Sequence, residues 1–352
     1  MTEYHVVPLE RAGSELDELV CMLMPGVSKG FVRAQIRLGK VLLDGLPVNP
    51  AQRVRADQVV VLDIDEEELP DMPVAPDVEI RILYEDDDLL VVDKPAGLAV
   101  EPERWHKHLG SLSGAVLRLA LDREADPDEP GFRPRIVHRI DKDTTGCIIV
   151  AKHIEAERAL REAFSKPDER PIKKTYLALV EGEHPLEDGE TETIELALRP
   201  DAKKSGRTIV ASSGGKPSVT RVQVAQRFRG HTLLACEPKT GRTHQIRVHL
   251  AATGFPLVVD SLYGRRDALF LSEVKAGYRP KRGRVERPLI DRLTLHASAL
   301  TFRSPSEPER EISVESPLPA DFARTLKQLS KVRRHGAPSQ SRRADHGRRG
   351  NR

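Results

Sequence analysis

The chemistry-bearing side chains of this chain crowd into residues 135–152, Arg-Ile-Val-His-Arg-Ile-Asp-Lys-Asp-Thr-Thr-Gly-Cys-Ile-Ile-Val-Ala-Lys. His138, Arg139, Asp141, Lys142 and Asp143 are charged or titratable and fall within six consecutive positions. The apolar run Cys147–Ala151 follows at once and reads as a buried strand. Thr144, Thr145 and Gly146 read as a tight turn between the two. A carboxylate is thereby presented, beside cations, at the mouth of a buried strand. A rigid β-element next to Arg is what an ionised, aimed nucleophile needs. The competing use of the same residues is a structural ion pair among Arg139, Asp141 and Lys142.

Two further stretches carry chemistry. Lys239-Thr-Gly-Arg-Thr-His-Gln-Ile-Arg-Val-His-Leu250 predicts a helix beginning at His244, with Thr243 as N-cap and Ile246 and Leu250 turned to the core. Arg242 and the unpaired amides of that helix start would form a phosphate site, and Arg247 lies one turn further in. His244 and His249 stand as packing or ligand-contact candidates. Lys173–Gly182 alternates as a strand and carries Tyr176. A phenol there can stack on a flat ring and exchange a proton, although a strand Tyr is also ordinary core.

His138-Arg139-Ile140-Asp141-x-x-Thr144-Thr145-Gly146 resembles the signature of the RluA-type pseudouridine synthases, whose usual form has Leu and Ser where this chain has Ile140 and Thr145. Ile82–Asp93 with Lys94-Pro95-Ala96-Gly97, the Tyr176 strand and residues 239–250 are similar to three further blocks of that family, in its order. Ala251–Gly264, with Asp260-x-x-Tyr263-Gly264, and Leu295-His296-Ala297 extend the likeness, which covers about residues 82–304. The resemblance implies Asp141 as nucleophile, Tyr176 against the target base and in proton transfer, and Arg247 paired with the Asp141 carboxylate. An Arg in that place holds a carboxylate ionised and aimed. Arg139 would fill the space left by the flipped base or hold a flanking phosphate. The implied fold is the α+β synthase core, a long mixed, mostly antiparallel sheet with a central cleft where these three residues converge. Lys94 receives no catalytic role; a sheet-edge or phosphate role suits it.

The elements that must position these residues read as two domains. In residues 1–64, Leu16–Leu23 predicts one helix and residues 29–39 a second, capped by Ser28. Lys29, Arg33, Arg37 and Lys40 share one sector of the second helix, backed by Phe31, Ala34 and Leu38. A hairpin turning at Asp44-Gly45 and a strand at Gln58–Ile64 follow. Ser28-Lys29-x-x-Val32, Ile36-x-x-Gly39-x-Val41, Asp44-Gly45 and Asp57-Gln58-Val59 resemble the small S-four-like RNA-binding domain, which makes the four basic residues RNA contacts. The alternative is a solvated helix face. Residues 65–80 are acidic and rich in Pro, a linker composition, and residues 81–330 form the synthase domain. Short strands at 191–198, 207–210, 222–228 and 231–236 argue a mainly antiparallel sheet. Residues 265–290 read as a basic loop insertion, and residues 331–352 as a basic disordered tail.

Composition closes off other classes. The tail holds a net charge of +7 and the remaining chain −5, so any nucleic-acid surface on the body is local. No apolar run is long enough for a membrane helix, and the start lacks signal-peptide character. Cys21, Cys147 and Cys236 make no metal spacing and suit a reducing cytoplasm. His106 and His108 alone do not make a metal site. No P-loop or dinucleotide fingerprint is present, and no cofactor is expected. The expected partner is RNA, by family likeness large-subunit ribosomal RNA, met by a monomer. Two rivals are a catalytically silent RNA-binding assembly factor on the same fold, and a hydrolytic glycosidase, which would want a second acid at the site.

Overall fold

A computed structural model describes residues 2–24, 27–65, 68–69, 75–76, 78–102, 110–124, 132–166, 172–279, 283 and 285–333. Half of the proposed 65–80 linker, His106 and His108, and the tail beyond residue 333 lie outside the described residues. The chain divides into two compact units. One holds residues 1–142, 148–171 and 303–312, and the other residues 143–147, 172–302 and 313–352.

The first unit opens with β1 (Thr2–Val6), α1 (Leu16–Leu23), α2 (Lys29–Arg37), β2 (Val41–Leu43), β3 (Leu46–Pro47) and β4 (Val59–Asp63). The four strands form an antiparallel sheet in the order β1-β4-β2-β3. α2 starts where expected, since the Ser28 hydroxyl accepts the Phe31 N–H at 3.2 Å. Its inward face differs from the expected one: Val32 and Ile36 are buried, whereas Ala34 and Leu38 are exposed. The helix ends at Arg37, so Leu38 is a cap residue, and the i, i+4 pair Val32/Ile36 meets Leu16, Leu19 and Val20 of α1. β1 escaped the sequence reading because its side chains are mostly exposed and show no core period.

Further on, this unit contains β5 (Arg81–Glu85), β6 (Leu89–Lys94), α3 (Leu112–Glu124), β7 (Arg135–Ile136), the end of β8 (Thr145–Ala151) and α4 (Ile154–Ser165). Leu90, Val92, Val116, Ile148 and Val150 form its core, and Ile140 packs against them. That contact anchors the segment between Arg139 and Asp141 by its one apolar side chain.

The second unit contains β9 (Lys173–Glu181), β10 (Thr191–Pro200), β11 (Thr208–Val210), β12 (Lys216–Phe228), β13 (His231–Pro238), α5 (Gln245–Ala252), α6 (Leu271–Val274), most of β14 (Leu295–Arg303), the end of β15 (Glu311–Glu315) and α7 (Ala320–Val332). Its sheet runs β11-β10-β12-β13-β9-β14 and then meets the start of β8. Every pairing among the first six strands is antiparallel, and β14 meets β8 in parallel. The sheet is therefore mixed and mostly antiparallel, and the fold class is α+β.

Three expectations need correction here. Residues 222–228 are only part of a longer strand, β12, which starts at Lys216 and is carried past an irregularity between Val224 and Gln226. Residues 265–290 are not simply a solvated insertion: Leu269, Val274, Leu289 and Ile290 are buried together with Phe322 and Leu329 of α7. Thr145 and Gly146 do not belong to a turn but open β8, paired with His296 and Ala297. Among the described residues no helix is long and apolar enough to cross a membrane.

Candidate active site

Gly146 explains how the motif around Asp141 meets its sheet. Its φ is +114°, and a Cβ there would lie 2.1 Å from the Ala297 carbonyl oxygen. Only a residue without a side chain permits β8 to run beside β14 at this point. Next to it, the Thr145 hydroxyl lies 2.8 Å from His296 Nδ1, and His296 Nε2 lies 3.1 Å from the Ser316 carbonyl oxygen, all buried. The Thr-Thr-Gly of the motif and the Leu-His-Ala of β14 are thus one fastening. Ala297 also faces Tyr176 across the β14–β9 ladder. Gly146 and Tyr176 therefore flank Ala297 from its two sides, which ties the Tyr176 strand to the strand that begins four residues after Asp141.

Asp141 itself is half-buried in the first unit, and Arg139 is exposed. Two devices hold their segment. His138 Nε2 accepts the Ile149 N–H at 2.9 Å, and its ring lies 4.8 Å from that of Phe164 in α4. Lys94 is fully buried, and its ammonium donates to the carbonyls of Pro95, Leu98 and Lys142 at 2.8, 2.7 and 2.7 Å. It thus binds the end of β6 to the residue that follows Asp141. Its role is backbone support, in place of the edge or phosphate role read from the sequence. A fully buried ammonium is tolerated because carbonyl oxygens occupy its donors.

Tyr176 is half-buried on β9, packed with Val222, Leu234, Ile246 and Leu250. Arg247 is buried on α5, and its Nε and Nη2 donate to Asp260 Oδ2 and Oδ1, both at 2.8 Å. Burial works to raise the Asp260 pKa, but the Arg247 fork and the amides of Leu262 and Tyr263 outweigh it and hold the carboxyl below its ordinary range. The ring of Tyr263 lies 5.1 Å from the Arg247 guanidinium carbon. Asp260 and Tyr263 stood in a recognised block but received no role. The signal that could have found them is an acid near a buried Arg that needs a partner.

α5 begins one residue later than expected. Its N-cap is His244 in the left-handed region, φ +55°, not Thr243. The His244 imidazole reaches the Tyr263 hydroxyl at 2.9 Å, which accounts for the unusual backbone. Arg242 is exposed next to it, its Nε 3.4 Å from the Pro217 carbonyl. His249 is a packing residue: it is fully buried, lies 3.1 Å from the Ser218 hydroxyl, and is held at a pKa of about 4 by burial.

The basic side chains of α2 are unequally placed. Lys29 lies 3.0–3.4 Å from Glu15, Asp17 and Glu18, and Arg33 Nε lies 2.6 Å from Asp17 Oδ2. Asp17 and Glu18 are buried, so these two cations first neutralise acids of α1. Lys40 pairs with Glu68. Arg37 is exposed.

Comparison with known proteins follows the same two-part division. Residues 88–252 match the family model described as RNA pseudouridylate synthase, and residues 16–60 match the S4 domain. The chain is 36% identical over 327 residues to ribosomal large subunit pseudouridine synthase D of Pseudomonas aeruginosa, covering 93% of this chain and 95% of the relative. It is 34% identical over 337 residues to ribosomal large subunit pseudouridine synthase C of Escherichia coli K12, covering 93% and 96%. The solved structure of human RNA pseudouridylate synthase domain containing 4 is similar in fold, with a TM-score of 0.50 at 24% identity over 70% of this chain and 92% of that one. With relatives this similar over nearly their whole length, the chain belongs to the RNA pseudouridylate synthase family and carries an S4 domain ahead of its synthase region.

Proposed function

We propose that this enzyme isomerises specific uridines of large-subunit ribosomal RNA to pseudouridine, with Asp141 as the nucleophile. The observation that carries the reading is the pairing of Gly146 and Tyr176 on opposite sides of Ala297, which joins the Thr-Thr-Gly end of the motif to the Tyr176 strand. The curated relatives named above act, by their names, on the large ribosomal subunit, which supports the choice of RNA.

In the reaction the N1–C1′ bond of the target uridine breaks, the uracil turns, and C5 bonds to C1′. The C5 proton leaves and N1 ends protonated, so nothing external enters and no redox step occurs. The target must leave its stack to be reached. Asp141 supplies the attacking carboxylate. Tyr176 stacks on the base and takes part in moving the C5 proton. Arg247 keeps the nucleophilic carboxylate ionised, with Asp260 orienting the guanidinium. Arg139 occupies the vacated stack or a flanking phosphate. Arg242 and Arg37 contact the RNA backbone from exposed positions, and Lys29, Arg33 and Lys40 add to that field while paired to acids. Residues 1–64 form the RNA-binding domain, 65–80 the linker, 81–330 the catalytic domain and 331–352 a basic RNA-attracting tail. Three buried free thiols suit a reducing cytoplasm.

Loss of the C5 hydrogen gives the test. RNA transcripts carrying tritium at uridine C5 are incubated with the enzyme and with Asp141→Asn. Release from a large-subunit rRNA transcript, absent with a tRNA and at least ~10³-fold slower for the variant, supports the proposal. Equal release by both proteins removes Asp141 from the role, and release only from tRNA removes the substrate.

A further inference from the structure

The geometry points to Tyr263 as a positioning residue for the reaction, acting through Arg247 and His244. The assignment rests on the reading that Arg247 serves the reaction.

A carboxylate fork fixes a guanidinium in its own plane and leaves tilt about that plane unconstrained. Asp260 supplies the fork. The Tyr263 ring supplies the face, 5.1 Å below the Arg247 guanidinium carbon, and together they constrain the group on all axes. The same ring lies 5.7 Å from the Arg207 guanidinium carbon. Tyr263 is itself held by the site it supports. Its backbone N–H, like that of Leu262, donates to Asp260 Oδ1, at 3.1 and 2.9 Å. Gly264 completes this tight turn, because a Cβ there would lie 2.7 Å from the Asp260 carbonyl oxygen.

The hydroxyl has its own task. It accepts the Thr208 N–H of β11 at 2.8 Å and lies 2.9 Å from His244 Nδ1. The oxygen takes the Thr208 N–H as acceptor, and the hydroxyl and His244 Nδ1 share the second hydrogen bond. The imidazole is set edge-on to the tyrosine with 5.6 Å between ring centroids. His244 is also the left-handed cap of the helix that carries Arg247 three residues on. A side-chain-bearing residue holds that backbone only where surrounding contacts fix it, and the phenol is such a contact. One side chain thus sets both the face of Arg247 and the start of its helix.

Tyr263→Phe keeps the ring and removes the hydroxyl. Turnover, KM for the rRNA transcript and thermal stability are measured for Tyr263→Phe, Arg247→Lys and the double variant. Imidazole ¹⁵N spectra, assigned with His244→Gln, report the hydrogen bonding of His244 Nδ1. The expected result for Tyr263→Phe is kcat lowered roughly tenfold with KM within about threefold, a Tm close to that of the parent, and a shifted His244 Nδ1 resonance. The double variant should be no slower than Arg247→Lys alone by more than about threefold, since both act through one group. Parental kcat in Tyr263→Phe overturns the inference. So does a rise in KM alone, an unmoved His244 Nδ1 resonance, or multiplied losses in the double variant. Asp141→Asn, run alongside, tests the underlying reading separately: full turnover there removes the site assignment whatever Tyr263 does.

Discussion

Arg247 and Asp260 are joined by two parallel hydrogen bonds of 2.8 Å, with 8% and 1% of their side chains exposed. Their pairing makes the rigid point of the second unit. A buried fork loses far more when one member is neutralised than an exposed pair does. Asp260→Asn keeps the shape and leaves Arg247 with an amide. The expected loss is about 3 kcal/mol of unfolding free energy in urea at pH 7, with a fall in turnover. The Asp260 pKa is depressed in the folded state, so its contribution is whole above the unfolded value of about 3.9 and disappears as pH falls through the folded one. The variant and its parent should therefore converge in stability only below about pH 4.

Gly146→Ala should be among the most damaging single-methyl changes in the chain. The added carbon would meet the Ala297 carbonyl oxygen at 2.1 Å, and φ is +114°. What it would meet is the Ala297 backbone, not a movable side-chain end. Destabilisation of at least about 3 kcal/mol is expected, read from urea midpoints, with loss of activity. The Gly230→Ala control, at a position with open space around it, should cost about 1 kcal/mol.

Two buried histidines set a second pH window. Burial holds His231 and His249 at about 4. The unfolded chain protonates them near 6.5, so it takes the proton first. Stability is complete above about pH 6.5 and falls as pH drops toward 4, by about 2 kcal/mol per histidine at pH 5. His249→Gln should flatten that slope by about one proton's worth between pH 7 and 5 in urea titrations.

Lys94 binds backbone rather than substrate, and its loss should register as stability. Lys94→Met leaves the carbonyls of Pro95, Leu98 and Lys142 without this donor. About 3 kcal/mol is expected from the unfolding midpoint. Hydrogen exchange should show faster opening of residues 142–146 while α1 stays protected. Unchanged stability would place the ammonium elsewhere.

The parts of this molecule legible in its sequence are those where local chemistry and tertiary packing agree. α1 falls on Leu16–Leu23 as read, and Ser28 caps α2 as read. Misreadings arise where a distant partner decides. Gly146 looked like a turn residue, but its reason is the carbonyl of Ala297, about 150 residues away. His244 looked like a helix residue, and the Tyr263 hydroxyl makes it a left-handed cap. Lys29 and Arg33 looked like a free basic stripe, since the sequence does not show that Asp17 and Glu18 are buried against them. The family motifs located the candidate residues; the supports that hold them, Asp260, Tyr263 and Lys94, became visible only with the fold.

The central claim is that this chain makes pseudouridine with Asp141. Its most direct test is a pseudouridine map of total RNA, by carbodiimide labelling and primer extension. A strain lacking the gene is complemented with the parent chain or with Asp141→Asn. The account predicts specific large-subunit rRNA signals restored by the parent and absent with the variant, at equal protein levels. Signals restored equally by both would contradict it, as would a map that neither protein changes.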